Sequence, residues 1–355
     1  MQFESVGRVK FSFGREGIKK DREPKKDDRE KKGLKRLKKR ERKDTIKGRS
    51  SFRTIEKPID GRNDNMEKSF DIVTDSACDL SEEFLTENGV TCAPLGFTMN
   101  NVNYGGSDGE KISAKDFYDA LRDGAMPTTY QVTGESAKEY MEQSLQKGRD
   151  VLVVAFSSAL SGTCGSFQVA AKELKEKYPD RKIEVVDSLC GSMGEGLLVY
   201  YAVKKAETGA TIEETKGYLE GLKGNISHNF TVDNLFHLKR GGRISSALAI
   251  VGTVLKIKPV LHVSDEGKLV AVGKAMGRKK SLQALADNMA KNQALEDGDP
   301  IFISHGDCDE DVEYLKNILK GYFPGHEFVV NYVGPVIGCH AGAGVVALFY
   351  KANGR

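Results

Sequence analysis

The chain has 355 residues, of which 30% are charged and 39% hydrophobic, with six cysteines and no tryptophan. That length can bury a sizeable core, as two domains or as one large domain with an extension, and the longest apolar runs, "VLVVAF" and "GVVALFY", fall far short of the roughly 18 residues that a membrane span needs. The formal net charge of +3 conceals two opposite regions: residues 1–65 hold 23 Lys/Arg against 12 Asp/Glu, a net of +11, and the remainder holds 31 against 39, a net of −8.

The first region, residues 1–65, is a basic extension. Its run "KKDREPKKDDREKKGLKRLKKRERKD" carries dense charge and few apolar residues, so it cannot bury enough surface to offset chain entropy and is expected to be disordered. Its basic residues are interleaved with acidic ones, which favours a solvated tail over a nucleic-acid arm, and the net negative charge of the rest speaks against nucleic-acid binding altogether. No apolar stretch of signal-peptide type follows the start, so a cytoplasmic location is expected. Cys78, Cys92, Cys164, Cys190, Cys308 and Cys339 form no C-x-x-C pair. They read as reduced, mostly buried thiols rather than as zinc ligands, and no metal is expected.

From Phe70 onward one pattern repeats: a short β-branched run, a polar turn, then an amphipathic stretch. "FDIVT" leads into "DSACDLSEEFLTENG", where Asp79 or Ser81 can cap a helix and Gly89 can end it. The pattern recurs as "VLVVAF" with "SSALSGTCGS" and "FQVAAKELKEKY", then as "IEVVDS" with "LCGSMGEGLLVYYAVKKAETG". A fourth copy is "IFISHGDCDEDVEYLKNILKGYF". Strand, turn and helix in that order predict an α/β fold with parallel layers. "VLHV" and "LVAV" flank the turn "SDEG" and predict a hairpin, so the chain from residue 226 should mix parallel and antiparallel pairing. The organisation that follows is an extension over 1–65, an N-terminal α/β lobe over 66–225 and a C-terminal α/β lobe over 226–355.

Three chemistries compete for the polar turns. "ALSGT" puts Ser161 on a strand-to-helix turn, as a hydrolase nucleophile elbow would, but Ala159 stands where the first glycine of G-x-S-x-G belongs. A P-loop is absent, and "GAGVVA" at 342–347 lies too near the C-terminus to open a dinucleotide-binding unit. Anion capture fits better. A loop rich in hydroxyls that enters a helix presents unpaired N–H groups and neutral donors to a carboxylate or phosphate. "MPTTYQVT" supplies Thr128, Thr129 and Thr133, "LKRGGRIS" places Arg243 after two glycines, and "GPVIGCHAGAG" presents His340 on a glycine-rich turn.

These segments, "DIVTDSACDL", "PTTYQVT", "SSALSGT", "VVDS", "LKRGGRIS", "LKIKPVLHV" and "GPVIGCHAGAG", taken in this order, resemble the DegV family, the fatty-acid-binding B subunits of bacterial fatty acid kinase. The resemblance runs from about residue 68 to the C-terminus. It implies two α/β lobes with a ligand tunnel between them, no catalysis by the chain itself and no cofactor beyond a bound long-chain fatty acid. The acid's carboxylate would be presented to a separate fatty acid kinase catalytic subunit for ATP-dependent phosphorylation to acyl phosphate, and transient contact with a membrane surface is compatible with that role. Thr129 and Ser161 resemble the family residues that bind the carboxyl, with Gly162 and Thr163 beside them and Arg243 and His340 in support. Where the family commonly reads T-S-x-P-S, this chain has Tyr130 for the serine and Val132 for the proline. The alternative is an acyl hydrolase or acyltransferase that uses Ser161 with His340 as its base.

Overall fold

A computed structural model describes residues 69–233, 235–244 and 256–355. The extension over 1–65, with its expected disorder, lies outside the described residues.

The first strand, β1 (Phe70–Asp75), is followed by a turn of 3-10 helix, Ser76–Cys78, and then by α1 (Glu82–Glu87). Of the two caps offered by the sequence, Ser81 is the one used: its side chain accepts from the Phe84 N–H at 3.1 Å, satisfying one of the orphan donors of the first turn. Asp79 turns inward instead. After α1 come β2 (Val90–Ala93), β3 (Gly96–Met99), β4 (Val102–Gly105), α2 (Ala114–Arg122), β5 (Thr128–Tyr130) and α3 (Gly134–Leu145). The second and third strand-turn-helix units form β6 (Asp150–Ala155) with α4 (Thr163–Lys177), and β7 (Ile183–Asp187) with α5 (Met193–Glu207). Strands β2, β1, β6 and β7 make a parallel sheet in that order, with Ile72 opposite both Val90 and Leu152. Its central strands carry apolar residues almost continuously because helices cover both faces.

Helix α6 (Ile212–Leu222) leads to β8 (Ile226–Thr231), which begins a six-stranded sheet. The remaining elements are α7 (Phe236–Arg240), β9 (Ile257–Val263), β10 (Leu269–Met276), α8 (Arg278–Asn292), β11 (Ile301–His305), α9 (Asp309–Tyr322), β12 (Phe328–Tyr332), α10 (Pro335–Ala341) and β13 (Val346–Lys351). The sheet order is β10-β9-β8-β13-β11-β12. The expected hairpin is β9 and β10, antiparallel from Leu269↔Val263 to Met276↔Ile257. The fourth strand-helix unit gives the parallel pair β11 and β12, and β13 runs antiparallel to both β8 and β11. The fold is thus mixed α/β, as the strand-helix spacing predicts.

Two features position the cavity described next. Helix α5 packs against β1 and β6 on one side and against β8, β11 and β13 on the other, so the two large sheets share one buried layer. Its residues from Met193 to Val199 are all buried, which explains a helix with apolar residues on every side. The other feature is a small antiparallel sheet, β4-β3-β5. Its strands are three or four residues long and rich in Thr, Asn and Gly. Such segments carry almost no strand periodicity.

Candidate functional site

The described residues enclose a cavity of about 380 Å³, within the usual range for small-molecule sites. One wall comes from the segments that leave the C-terminal ends of the parallel strands: Leu95 after β2, Phe156 and Leu160 after β6, Gly191 and Ser192 after β7. Crevices outside the carboxyl ends of parallel strands are where α/β proteins bind ligands. The opposite wall is sheet. In β8 and β13 the register pairs Phe230 with Ala347 and His228 with Phe349, and the two-residue period points all four side chains into the same space. Val263, Leu269, Val336, Ile337 and Ala341 complete a mainly apolar lining.

One end of this space is polar. Thr129, in β5 opposite Phe97 of β3, holds its Oγ1 2.9 Å from Nε2 of His340 in the last turn of α10. Burial, with the Arg243 and Arg240 guanidinium groups and His237 nearby, pushes the His340 imidazole down to about 4, so the ring is neutral at physiological pH. Its Nδ1 is buried without a hydrogen-bond partner. Gly241 makes this placement feasible: a Cβ there would lie 2.0 Å from Nδ1. Arg240 donates to Pro127 O at 2.9 Å and Cys339 O at 3.1 Å, tying the approach to β5 onto α10. Arg243 donates from Nε to Leu160 O at 3.2 Å and from Nη1 to Gly241 O, which fixes it beside the Ser161 turn.

Ser161 accepts from the Thr163 N–H at 3.2 Å, and its Oγ lies 3.0 Å from Thr163 Oγ1. Of the six residues singled out from the sequence, Thr129, Ser161, Gly162, Arg243 and His340 line the cavity. Thr163 does not. It is fully buried in the first turn of α4, where its Oγ1 accepts from Val132 N at 3.4 Å and buttresses Ser161 from behind. The hydrolase alternative would use Ser161 bonded to His340. His340 Nε2 is engaged by Thr129 and the Ser161 hydroxyl by Thr163, so among the described residues the nucleophile-base hydrogen bond that such chemistry requires is not assembled.

Polar wall residues that the sequence did not reveal form a second cluster. Ser192 lines the cavity with φ 53° and ψ −148°, a region that non-glycine residues seldom occupy. Its Oγ donates to Asp79 Oδ2 at 2.5 Å and lies 2.9 Å from Ser304 Oγ. The other Asp79 oxygen accepts from Gly334 N at 2.9 Å, just before α10. Burial raises the Asp79 carboxyl to about 7, with the nearby Asp75 adding to the effect. Asp75, also raised to about 7 by burial, accepts from Phe156 N and Ala77 N. Glu195 is buried too: its Oε1 and Val154 O both accept from Thr74 Oγ1, at 3.1 Å and 2.9 Å. Burial, with Asp75 nearby, drives its carboxyl well above the usual carboxylate range. His228 accepts from Gly191 N through Nε2, which leaves its proton on Nδ1, donated to Ile226 O. Among the described residues there is no cluster suited to a metal ion, and no helix is long and apolar enough to cross a membrane.

Fold and cavity together define a mixed α/β protein built around a mostly apolar chamber with one polar end. The chain belongs to the DegV family: residues 69–353 match the family described as "uncharacterised protein, DegV family". A DegV domain-containing protein of Clostridium perfringens is 42% identical over 286 residues, covering 81% of this chain and 98% of the relative. A fatty-acid-binding DegV family protein from Thermus thermophilus has a similar structure, with a TM-score of 0.72 and 31% identity over 80% of this chain and 99% of that one. A stearic acid-binding protein from Eubacterium ventriosum aligns with a TM-score of 0.71 and 26% identity over 79% of this chain and 98% of that one.

Proposed function

We propose that this protein is a carrier for one long-chain fatty acid, working in the cytoplasm without turnover of its own. Its two lobes, 66–225 and 226–355, clasp the acyl tail, and the Thr129 end of the cavity holds the carboxylate. The observation that carries this reading is a pair of neutral polar groups, Thr129 and His340, at one end of a mainly apolar chamber. At about 0.8 kcal/mol per buried methylene, a tail of about 15 methylenes gains about 12 kcal/mol gross, so the tail supplies affinity and the polar end sets orientation. A buried carboxylate is costly unless donors meet it. The Thr129 and Ser161 hydroxyls can each turn a proton toward it, His340 can present Nε2–H, and Arg243 adds positive charge through the adjoining turn. The fatty-acid-binding relatives from Thermus thermophilus and Eubacterium ventriosum support the same ligand class.

The carrier serves a separate fatty acid kinase subunit. The carboxylate oxygen attacks the γ-phosphorus of ATP held by that subunit, giving acyl phosphate and ADP. Neutral hydroxyl donors suit this handover because they release an oxygen more readily than a fixed ion pair would. Extraction of the purified protein, with native mass spectrometry, should find fatty acid at about one molecule per chain. A protein that comes without lipid and gains no mass from added palmitate overturns the reading. With the kinase subunit and ATP added, Arg243→Ala should lower acyl phosphate production while fatty acid stays bound.

A further inference from the structure

A second chamber, of about 360 Å³, adjoins the first at its polar end. Tyr130 and Gln131 border both. Elsewhere the lining of the second chamber mixes polar groups, among them Asn103, Ser107, Asp108 and Thr133, with Pro94 and Val132. The two residues contribute differently. The Tyr130 ring lies on Gly96 and Gly106, where a Cβ would come within 2.1 Å and 3.0 Å of it. Gln131 follows directly on β5 and lines the acyl cavity together with Thr129. Its side chain crosses Gly162, where a Cβ would sit 2.1 Å from Oε1, and its Nε2 donates to Ser166 Oγ of α4 at 3.0 Å. The carboxamide therefore spans from the end of β5 to α4, over the turn that carries Ser161.

Resting on the carrier reading, we infer that Gln131 is a specificity-determining residue: its strapped side chain walls the carboxyl seat off from the polar chamber and so limits the ligand to a head group no larger than a carboxyl. Without that wall, the seat opens onto hydroxyl, amide and carboxylate groups that suit a neutral polyol. Asp108 makes the same chamber unfavourable to an anionic head.

The test compares palmitic acid with 1-palmitoylglycerol, which has the same tail and an uncharged three-carbon head. Delipidated full-length protein is titrated with each, and the ratio of the two dissociation constants is read. The wild type should prefer palmitic acid at least tenfold. Gln131→Ala should shift the ratio toward 1-palmitoylglycerol by tenfold or more. Gln131 is exposed, so this variant should fold, and an unchanged melting curve checks that it does. Tyr130→Phe should leave the ratio within threefold of wild type, because the Tyr130 hydroxyl reaches its carbonyl partners only at 3.3 and 3.5 Å. A Gln131→Ala ratio equal to wild type overturns the inference, and so does an equal shift in Tyr130→Phe. Failure of the wild type to bind palmitic acid at all would instead overturn the carrier reading.

Discussion

Two polar clusters border the same cavity, and they differ in how completely their hydrogen bonds are made. Around Asp79 nearly every capacity is used: Ser192 and Gly334 donate to its carboxyl, Asn331 donates to its carbonyl, and Ser304 meets Ser192. Around Thr129 the account stays open, because His340 Nδ1 is buried without a partner and the Thr129 and Ser161 hydroxyls each have capacity to spare. Satisfied buried networks rigidify a fold. Unfilled ones at the end of an apolar chamber await a ligand. On this contrast, the Asp79 cluster holds the wall together and the Thr129 cluster holds the head group.

The contrast can be broken most easily at Asp79. Asp79→Ala takes the acceptor from the part-buried Gly334 N–H and leaves the Ser192 hydroxyl with Ser304 alone, and at about 1–3 kcal/mol for a lost acceptor the folding free energy should drop by about 2 kcal/mol in denaturant titration. A drop below about 1 kcal/mol would show that the cluster is not structural. Thr129→Val should do the reverse. Its stability should stay within about 0.5 kcal/mol of wild type, while palmitate affinity falls about tenfold, roughly the 1.4 kcal/mol that one charge-assisted hydrogen bond contributes. Equal loss of stability and affinity would erase the distinction.

The smallest effect concerns pH. His340 has a folded-state value below that of a free imidazole, so its neutral form contributes stability that is present above about pH 6.5 and is lost as pH falls toward 4. Asp75 and Asp79 act in the opposite sense. Their folded values are raised, so their contribution is full below about pH 4 and is lost as pH rises through 7. A nitrogen-detected imidazole titration should find His340 neutral down to about pH 4 in delipidated protein, and titrating higher once palmitate supplies a carboxylate beside it. No change on palmitate binding would place the head group elsewhere.

Much of this was legible in the sequence, for definite reasons. The strand-turn-helix units announced themselves because β6 is apolar from Val151 to Ala155 and Ser81 is a hydroxyl cap, both strong local signals, whereas Thr133, read among the anion-binding hydroxyls, proves to cap α3. Thr129, Ser161, Arg243 and His340 stood out as hydroxyls and cations on turns that need none. Thr163 was misplaced because sequence proximity to Ser161 says nothing about direction: a residue two positions on at a helix start turns to another face. The Asp79 cluster was illegible for a different reason. Asp79 and Ser192 adopt positive φ, which sequence signals only when glycine is present, and the contact that explains both spans 113 residues. Asp79 read as a helix cap because that is what an aspartate before a helix commonly does.

The bare backbone at Gly162 and Gly241 has one more consequence. The spots occupied by the Gln131 carboxamide and the His340 ring are each shaped by a methyl group that is not there. Truncating side chains would report which atoms touch a ligand yet miss what moulds the seat, whereas adding a single carbon at either glycine would deform it while every liganding side chain remained in the sequence. Catalogues of relatives sorted by their head-group residues alone will therefore group together proteins whose seats differ in shape.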